Sequence, residues 1–363
     1  MDSWRKFTQD QRIAYFSMEI GLKAEIPTYS GGLGVLAGDT IKSAADLKIP
    51  MVAVTLLYRK GYFLQQFGAD GWQQEKDIEW QPEKHMQLLP TKTMVTIENR
   101  DVKIQAWLYN TKSPTGGEVP ILFLDTDIPG NDDDDRTITD HLYGGGLDLR
   151  LKQEIVLGIG GARMLRALNF GIKKYHMNEG HASLLTLELL NNERIPFEES
   201  WDENNNWNMK KVMEKCVFTT HTPVEAGHDR FPYDLVKQIM PPEIPRTLLN
   251  EISGNENLNM TLLALKLSNY INGVAKRHGE VSQNLFPGFE IHAITNGIHP
   301  FTWCSPFFVN MFDKHLPGWA NEPELLVRVD NIPDEEVWEN HCGAKAFFFQ
   351  YIKEKTGKQL NPE

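Results

Sequence analysis

Cysteine is nearly absent from this chain. Cys216, Cys304 and Cys342 are the only three in 363 residues, and being few, distant and odd in number they can build neither a disulfide framework nor a Cys-x-x-Cys metal pair. Reduced thiols in a cytoplasm are the simplest account. Positive charge is short as well: 37 Lys and Arg against 49 Asp and Glu give a formal net charge of −12 and a pI near 5.4. That balance excludes the clustered cationic surface that nucleic acid or an anionic membrane demands, and leaves a neutral partner such as a sugar compatible. No apolar run reaches the ~20 residues of a membrane helix, and the segment Met1 to Lys6 lacks the apolar core of a signal peptide, so a soluble, cytoplasmic protein is expected. Two catalytic signatures are missing too. No Gly-x-Ser-x-Gly elbow surrounds Ser17, Ser30 or Ser183, which removes a serine hydrolase. His176, Glu179 and His181 do not follow the HExxH spacing of a helical zinc site, and no metal is expected.

What the chain does contain is a globular composition, 41% hydrophobic and 24% charged, with a glycine-rich segment near its N-terminus. Ile13 to Met18 reads as a buried strand. It leads to Tyr29-Ser30-Gly31-Gly32-Leu33-Gly34-Val35-Leu36-Ala37-Gly38-Asp39, a loop that opens a helix at about Val35 and runs to about Leu47. Glycines there let backbone approach a ligand, and the N–H groups of the first helical turn suit an anion or a hydroxyl-rich molecule. Leu36, Ile41, Ala44, Ala45 and Leu47 fall on or near the inner face, and Met51 to Leu57 is a second apolar strand. The result is a βαβ unit whose ligand site lies at the C-terminal ends of its strands.

Tyr58 to Phe67, Met94 to Glu98, Val102 to Tyr109 and Val119 to Leu124 read as antiparallel strands of a β-rich insertion over about 58–125. Asp132 to Asp135 reads as a solvated, mobile acidic loop. Leu147 to Leu168 is a long amphipathic helix. Strands at Ile172 to Met177 and Cys216 to His221 then alternate with helices at Ala182 to Asn191 and Tyr233 to Met240, with a polar linker over Glu198 to Asn208 and further βα repeats from Leu262 to Ile294. Such alternation is the mark of a doubly wound α/β domain. After Pro300 the texture is helical and aromatic, with Trp303, Trp319, Trp338 and Phe347 to Phe349, as if docked on something larger. The expected division is a Rossmann-like domain over 1–300 and a leading segment of another over 301–363.

Polar clusters recur at strand ends. Asn178, Glu179 and His181 follow one strand, His221 ends another, and His228 and Asp229 lie just beyond; amide, carboxylate and imidazole together can fix several hydroxyls directionally.

Taken in order, Ala14-Tyr15-Phe16-Ser17-Met18-Glu19, the loop from Tyr29 to Asp39, Leu57-Tyr58-Arg59-Lys60-Gly61-Tyr62-Phe63, Gly71-Trp72-Gln73, Arg150-Leu151-Lys152-Gln153-Glu154, His176 to His181, Thr220 to Pro223, Gly227 to Phe231 and Asn296-Gly297-Ile298-His299-Pro300 resemble the α-glucan (glycogen/starch/maltodextrin) phosphorylase family, in its short prokaryotic type. The resemblance implies the α/β, Rossmann-like N-terminal domain of a GT-B glycosyltransferase fold with its C-terminal domain missing. It implies phosphorolysis of a terminal α-1,4 bond of a glucan or maltooligosaccharide by inorganic phosphate, with retention, to glucose 1-phosphate. Gly31, Gly32, Leu33 and Gly34 would line the phosphate and glucosyl site, and His221 would bond the glucosyl C6 hydroxyl as the catalytic wall. Asn178, Glu179 and His181 would support it, and His228 and Asp229 would lie toward the acceptor glucan. The family's pyridoxal 5′-phosphate attaches to a lysine in a Gly-Thr-x-x-Met-Lys type segment that this chain does not contain, so activity is expected to need a C-terminal-half polypeptide, with self-association as the other outcome. A noncatalytic α-glucan-binding module or decayed fragment that keeps the fold, and another GT-B glycosyltransferase such as a glycogen synthase, are the competing readings.

Overall fold

The computed structural model describes residues 5–195, 206–224, 227–242 and 244–361; most of the expected linker over Glu198 to Asn208 lies outside them. The chain forms two compact units, 1–297 and 298–363.

The first unit is built on one sheet of nine strands. In chain order the strands of this unit are β1 (Ile13–Ser17), β2 (Met51–Leu56), β3 (Leu64–Phe67), β4 (Gln73–Lys76), β5 (Gln87–Ile97), β6 (Arg100–Lys112), β7 (Glu118–Asp125), β8 (Lys174–Asn178), β9 (Cys216–Thr219), β10 (Arg230–Pro232), β11 (Asn257–Asn259), β12 (Tyr270–Gly273) and β13 (His292–Ala293). The large sheet runs β13-β12-β9-β8-β1-β2-β7-β6-β5. From β13 to β7 every pairing is parallel, and β6 and β5 continue it antiparallel. A parallel sheet needs cover on both faces. Side chains of β1 and β2 accordingly alternate between two cores: Ala14, Phe16, Val52 and Val54 on one face, Tyr15, Met51 and Ala53 on the other. The Gly32–Asp46 helix supplies Ala37, Ile41, Ala44 and Ala45 to the second face.

From β1 the chain steps to β2, crosses to the edge strand β5 and returns through β6 to β7 beside β2; it then crosses to place β8 on the other side of β1 and steps outward through β9, β12 and β13. The switch point therefore lies between β1 and β8, where an open α/β sheet leaves a crevice at the carboxyl ends of its strands.

Several expectations need correction. Val119 to Leu124 is no part of a purely antiparallel insertion, because β7 pairs in parallel with β2 from Ala53↔Ile121 to Leu56↔Leu124; all of β7 but Glu118 is buried, as a strand inside a two-faced sheet must be. Tyr58 to Phe67 is strand only from Leu64, since Tyr58 takes a positive φ of 50° and the next two N–H groups bond Thr139 and Asp140. The loop helix begins at Gly32, and Leu47 is left 63% exposed where that helix ends. The acidic run is a short helix, Asp133–Arg136, whose Asp135 is buried and held by Arg100 at 2.9 Å. The long amphipathic helix is Leu147–Ile155 and Gly161–Ala167 joined by a π-helical turn, Val156–Gly160.

The second unit contains no strand among its described residues. Helices Pro306–His315 and Asp334–Thr356 enclose a small core of Met311, Leu316, Trp319 and Ile332. Trp319 is buried there, whereas Trp338, Phe347, Phe348 and Tyr351 of the long helix are at least half exposed.

Close packing of the glycine-loop helix generates a test. A Cβ on Gly38 would lie 1.8 Å from the Gly21 carbonyl oxygen, an overlap with backbone that no rotamer relieves, whereas a Cβ on Gly31 meets nothing within 4 Å. Gly38→Ala is expected to cost about 3 kcal/mol in urea denaturation and Gly31→Ala less than about 1 kcal/mol. Equal effects would contradict this packing.

Candidate functional site

At the switch point β1 ends in Ser17 and leads to Glu19, both buried. One oxygen of the Glu19 carboxylate, Oε2, accepts the backbone N–H groups of Ser30 (2.7 Å) and Gly31 (3.2 Å), while Oε1 accepts the Tyr143 hydroxyl (2.8 Å). This carboxylate pins the glycine loop to the central strand. Gly34 makes the fit possible, because a Cβ there would sit 2.5 Å from Tyr29 Cβ and 2.7 Å from Glu19 Oε2. Gly31 and Gly32 face open space and are exposed, and no side chain caps the helix that begins at Gly32. Its first-turn N–H groups point out of the loop as donors. The four expected loop residues thus divide: Gly31 and Gly32 on the open side, Gly34 in packing, Leu33 half-buried on the helix.

Across the switch, β8 delivers Asn178 and Glu179. Ser17 Oγ donates to the Glu19 carbonyl (2.7 Å), Asn178 Nδ2 donates to Ser17 Oγ (3.0 Å), and Asn178 Oδ1 is left facing His221 Nε2 at 2.5 Å. Each step orients the next, so His221 carries its proton on Nε2 and keeps Nδ1 as the acceptor. Burial holds its pKa down to about 4, with the neighbouring His278 and His176 acting in the same sense. The imidazole is neutral. Glu179, at φ 72° and ψ 169°, reaches back to accept the N–H of Gly180 and the N–H of His221 (2.7 Å), together with the Thr222 hydroxyl (3.1 Å). A non-glycine residue in that region is strained, and here three donors hold it. Burial raises the Glu179 pKa, against these hydrogen bonds.

A third cluster adjoins the first through Tyr143, whose ring lies 4.8 Å from the Arg150 guanidinium. Arg150 pairs with Glu154 (3.1 Å) and Asp229 (3.0 Å), and His181 Nε2 stands 3.4 Å from the same Asp229 oxygen. Burial foremost, then the Asp229 charge, lifts the Glu154 carboxyl well above its ordinary value. Asp229 goes the other way: burial opposes it, but Arg150 and His181 hold it below the usual range. Burial and Arg150 drive His181 down to about 3.

The structure therefore brings the glycine loop, Asn178, Glu179, His181, His221 and Asp229 to one end of one sheet. His228 stands apart from the relay, buried against Phe286 and bonded to Thr261 at 2.9 Å. Residues that the sequence reading left without a role are Ser17, Glu19, Tyr143, Arg150 and Glu154. Of these only the i,i+4 spacing of Arg150 and Glu154 offered a local signal.

Pyridoxal phosphate needs a lysine amine and free cationic groups for its phosphate. Among the described residues named at this switch point there is no lysine, and the one cation, Arg150, is committed to two carboxylates. These residues do not make a site for that cofactor.

No protein-family model matches the chain. It is 38% identical over 95% of its length to the maltodextrin phosphorylase of Thermococcus litoralis, covering 43% of that protein. It is 36% identical over 90% of its length to the glycogen phosphorylase of Mycobacterium tuberculosis and 31% over 96% to that of Aquifex aeolicus, covering 41% and 53% of them. The chain spans about half the length of the curated relatives it matches.

Three neutral histidines, His181 buried and His176 and His221 half-buried, set a pH dependence. His176 and His221 are lowered to about 4 and His181 to about 3, from 6.5, all chiefly by burial. The unfolded chain binds these protons first, so their contribution is complete above pH 6.5 and is lost as pH falls from there toward 4. The raised Glu154 and Glu179 carboxyls act in the opposite sense, so the comparison is with a variant: urea denaturation from pH 7 to 5 is expected to show His221→Gln taking up about one proton fewer on unfolding than the unaltered chain. An identical pH dependence in the two would contradict a neutral imidazole at His221.

Proposed function

Because the chain is a homologue of the glycogen and maltodextrin phosphorylases over about half of their length, we propose that it forms the glucan- and phosphate-binding N-terminal half of an α-1,4-glucan phosphorylase. The observation that carries the reading is the pairing, across one topological switch point, of an open glycine-loop helix N-terminus with a neutral imidazole of fixed tautomer. The first-turn N–H groups at Gly32 to Gly34 and the helix dipole suit phosphate. His221 Nδ1 suits a glucosyl hydroxyl as donor, the C6 hydroxyl being the one the family resemblance implies. The reaction would break the terminal glycosidic bond, place phosphate on the anomeric carbon with retention, and release the shortened glucan.

Tyr143, Arg150, Asp229 and His181 stand beside this pair. Their charges are mutually compensated, which favours a neutral sugar over a second anion. The cofactor would belong to the C-terminal half and its lysine, the part of the relatives' length that this sequence does not span. The exposed aromatics of Asp334–Thr356, a helix with no buried residue, are the kind of surface such a half covers. The same shortage of uncommitted cations favours, for the chain alone, binding without turnover.

The chain by itself is expected to bind maltooligosaccharide in calorimetry and to release no glucose 1-phosphate. Adding the C-terminal half of a related phosphorylase loaded with pyridoxal phosphate is expected to restore release, and His221→Leu to weaken sugar binding about tenfold, the worth of one hydrogen bond. Failure of the chain to bind any maltooligosaccharide would overturn the proposal.

A further inference from the structure

The β3–β4 hairpin is anomalous for an element of a folded protein. It is a separate two-stranded sheet, and all eight strand residues are exposed. An isolated hairpin is marginal in water unless something covers it. This one is nevertheless held in a single form: Gly68 N–H bonds the Trp72 carbonyl at 2.8 Å, Gly71 N–H bonds the Gly68 carbonyl at 3.0 Å with Gly71 at φ 80°, and Trp72 N–H bonds the Asp70 carboxylate at 3.2 Å. The turn fixes the two largest side chains at the tip. Phe67 is 85% exposed and Trp72 77%.

The register tells what could cover them. Phe67 is opposite Gln73, and Gln66 is opposite Gln74. Since side chains two apart share a face, Trp72 stands over the Gln66–Gln74 pair, about 7 Å along the strand, while Phe67 lies on the other face. A protein interface wants a contiguous apolar centre depleted of polar groups. Here each ring is isolated, backed by amides, and the two point to opposite sides. An aromatic plane beside amides, each able to donate and accept, suits a chain of sugar rings: the apolar ring face lies on the indole, and hydroxyls meet the amides.

Position agrees with chemistry. Tyr62, at the foot of the hairpin, packs edge-on against Tyr143 with centroids 6.4 Å apart, and Tyr143 bonds Glu19 and packs against His181 at the switch point. Both tyrosines are partly exposed. A broken aromatic path thus leads from the site to the hairpin.

We propose that the β3–β4 hairpin is a second docking element for the α-glucan, which grips glucose units distant from the reacting end, with Trp72 as platform and Gln66 and Gln74 as hydroxyl partners. The inference rests on the glucan reading of the switch-point site. It makes the chain a reader of glucan length: short oligosaccharides occupy the switch point only, longer ones also reach the hairpin.

The test compares the chain with Trp72→Ala and Trp72→Phe, using maltotriose and glycogen as probes in calorimetry and affinity electrophoresis. Trp72→Ala is expected to weaken glycogen binding about tenfold and leave maltotriose affinity unchanged, and Trp72→Phe to restore most of the loss; circular dichroism confirms that the exposed tip has not disturbed the fold. Unchanged glycogen affinity in Trp72→Ala, with maltotriose still bound, overturns the hairpin proposal alone. Binding of neither probe by the unaltered chain overturns the glucan reading beneath it as well. A dimer in sedimentation that Trp72→Ala dissociates would make the hairpin a protein interface and overturn the proposal.

Discussion

A single buried carboxylate organises the candidate site. Glu19 follows the central strand of the sheet, and its two oxygens are shared between the backbone of the glycine loop and the hydroxyl of Tyr143. Three segments far apart in the chain are thereby brought to one place: the end of β1, the start of the Gly32–Asp46 helix and the approach to Arg150. The anion stabilises the N–H groups before the helix and leaves those of its first turn for a ligand. Loss of that carboxylate would take the acceptor from the Tyr143 hydroxyl and the Ser30 and Gly31 amides, part-buried hydrogen bonds worth about 1 kcal/mol each.

Charge in the same region is arranged to cancel. Arg150 is buried between Glu154 and Asp229, and burial keeps the neighbouring His181 neutral. Breaking such a group by removing one partner typically costs about 3–5 kcal/mol, because the others remain buried without compensation. The consequence for function is a wall that offers directional hydrogen bonds with little net field. The relay from Glu19 through Ser17 and Asn178 to His221 acts in the same sense, holding one tautomer of a neutral ring. Polar atoms preorganised in this way suit a neutral, hydroxylated ligand, and the anion-seeking feature is confined to the helix N-terminus.

The topology explains why these groups meet. A doubly wound sheet has one place where consecutive strands leave in opposite directions, and Ser17 and Asn178 are register partners there. Asn178 in turn pairs with Thr219 on β9, two residues before His221. Register therefore carries the relay: a slip of one residue in β8 would turn Asn178 to the other face and disconnect His221 from Ser17.

The alternation of apolar strands and helices from Ile13 to Ile294 was enough to indicate a doubly wound α/β unit, because buried parallel strands must be apolar on both faces. The glycine loop and the polar residues at the ends of β8 and β9 were legible for a similar local reason: each sits where a periodic pattern stops. Order and spacing of those motifs sufficed for the resemblance to glucan phosphorylases. Tertiary structure decided the rest. Val119 to Leu124 reads alike as an antiparallel or a parallel strand until its neighbour β2 is known. Glu19, Tyr143 and Glu154 are ordinary residues in sequence and gain roles only through partners 11 to 124 positions away, or through burial. The tautomer of His221 depends on a hydrogen-bond chain that crosses three strand ends. Short-range pattern fixes which elements form; long-range contact fixes which side chains share a site, since the energy of a buried polar group is set by its partner and not by its neighbours in the chain.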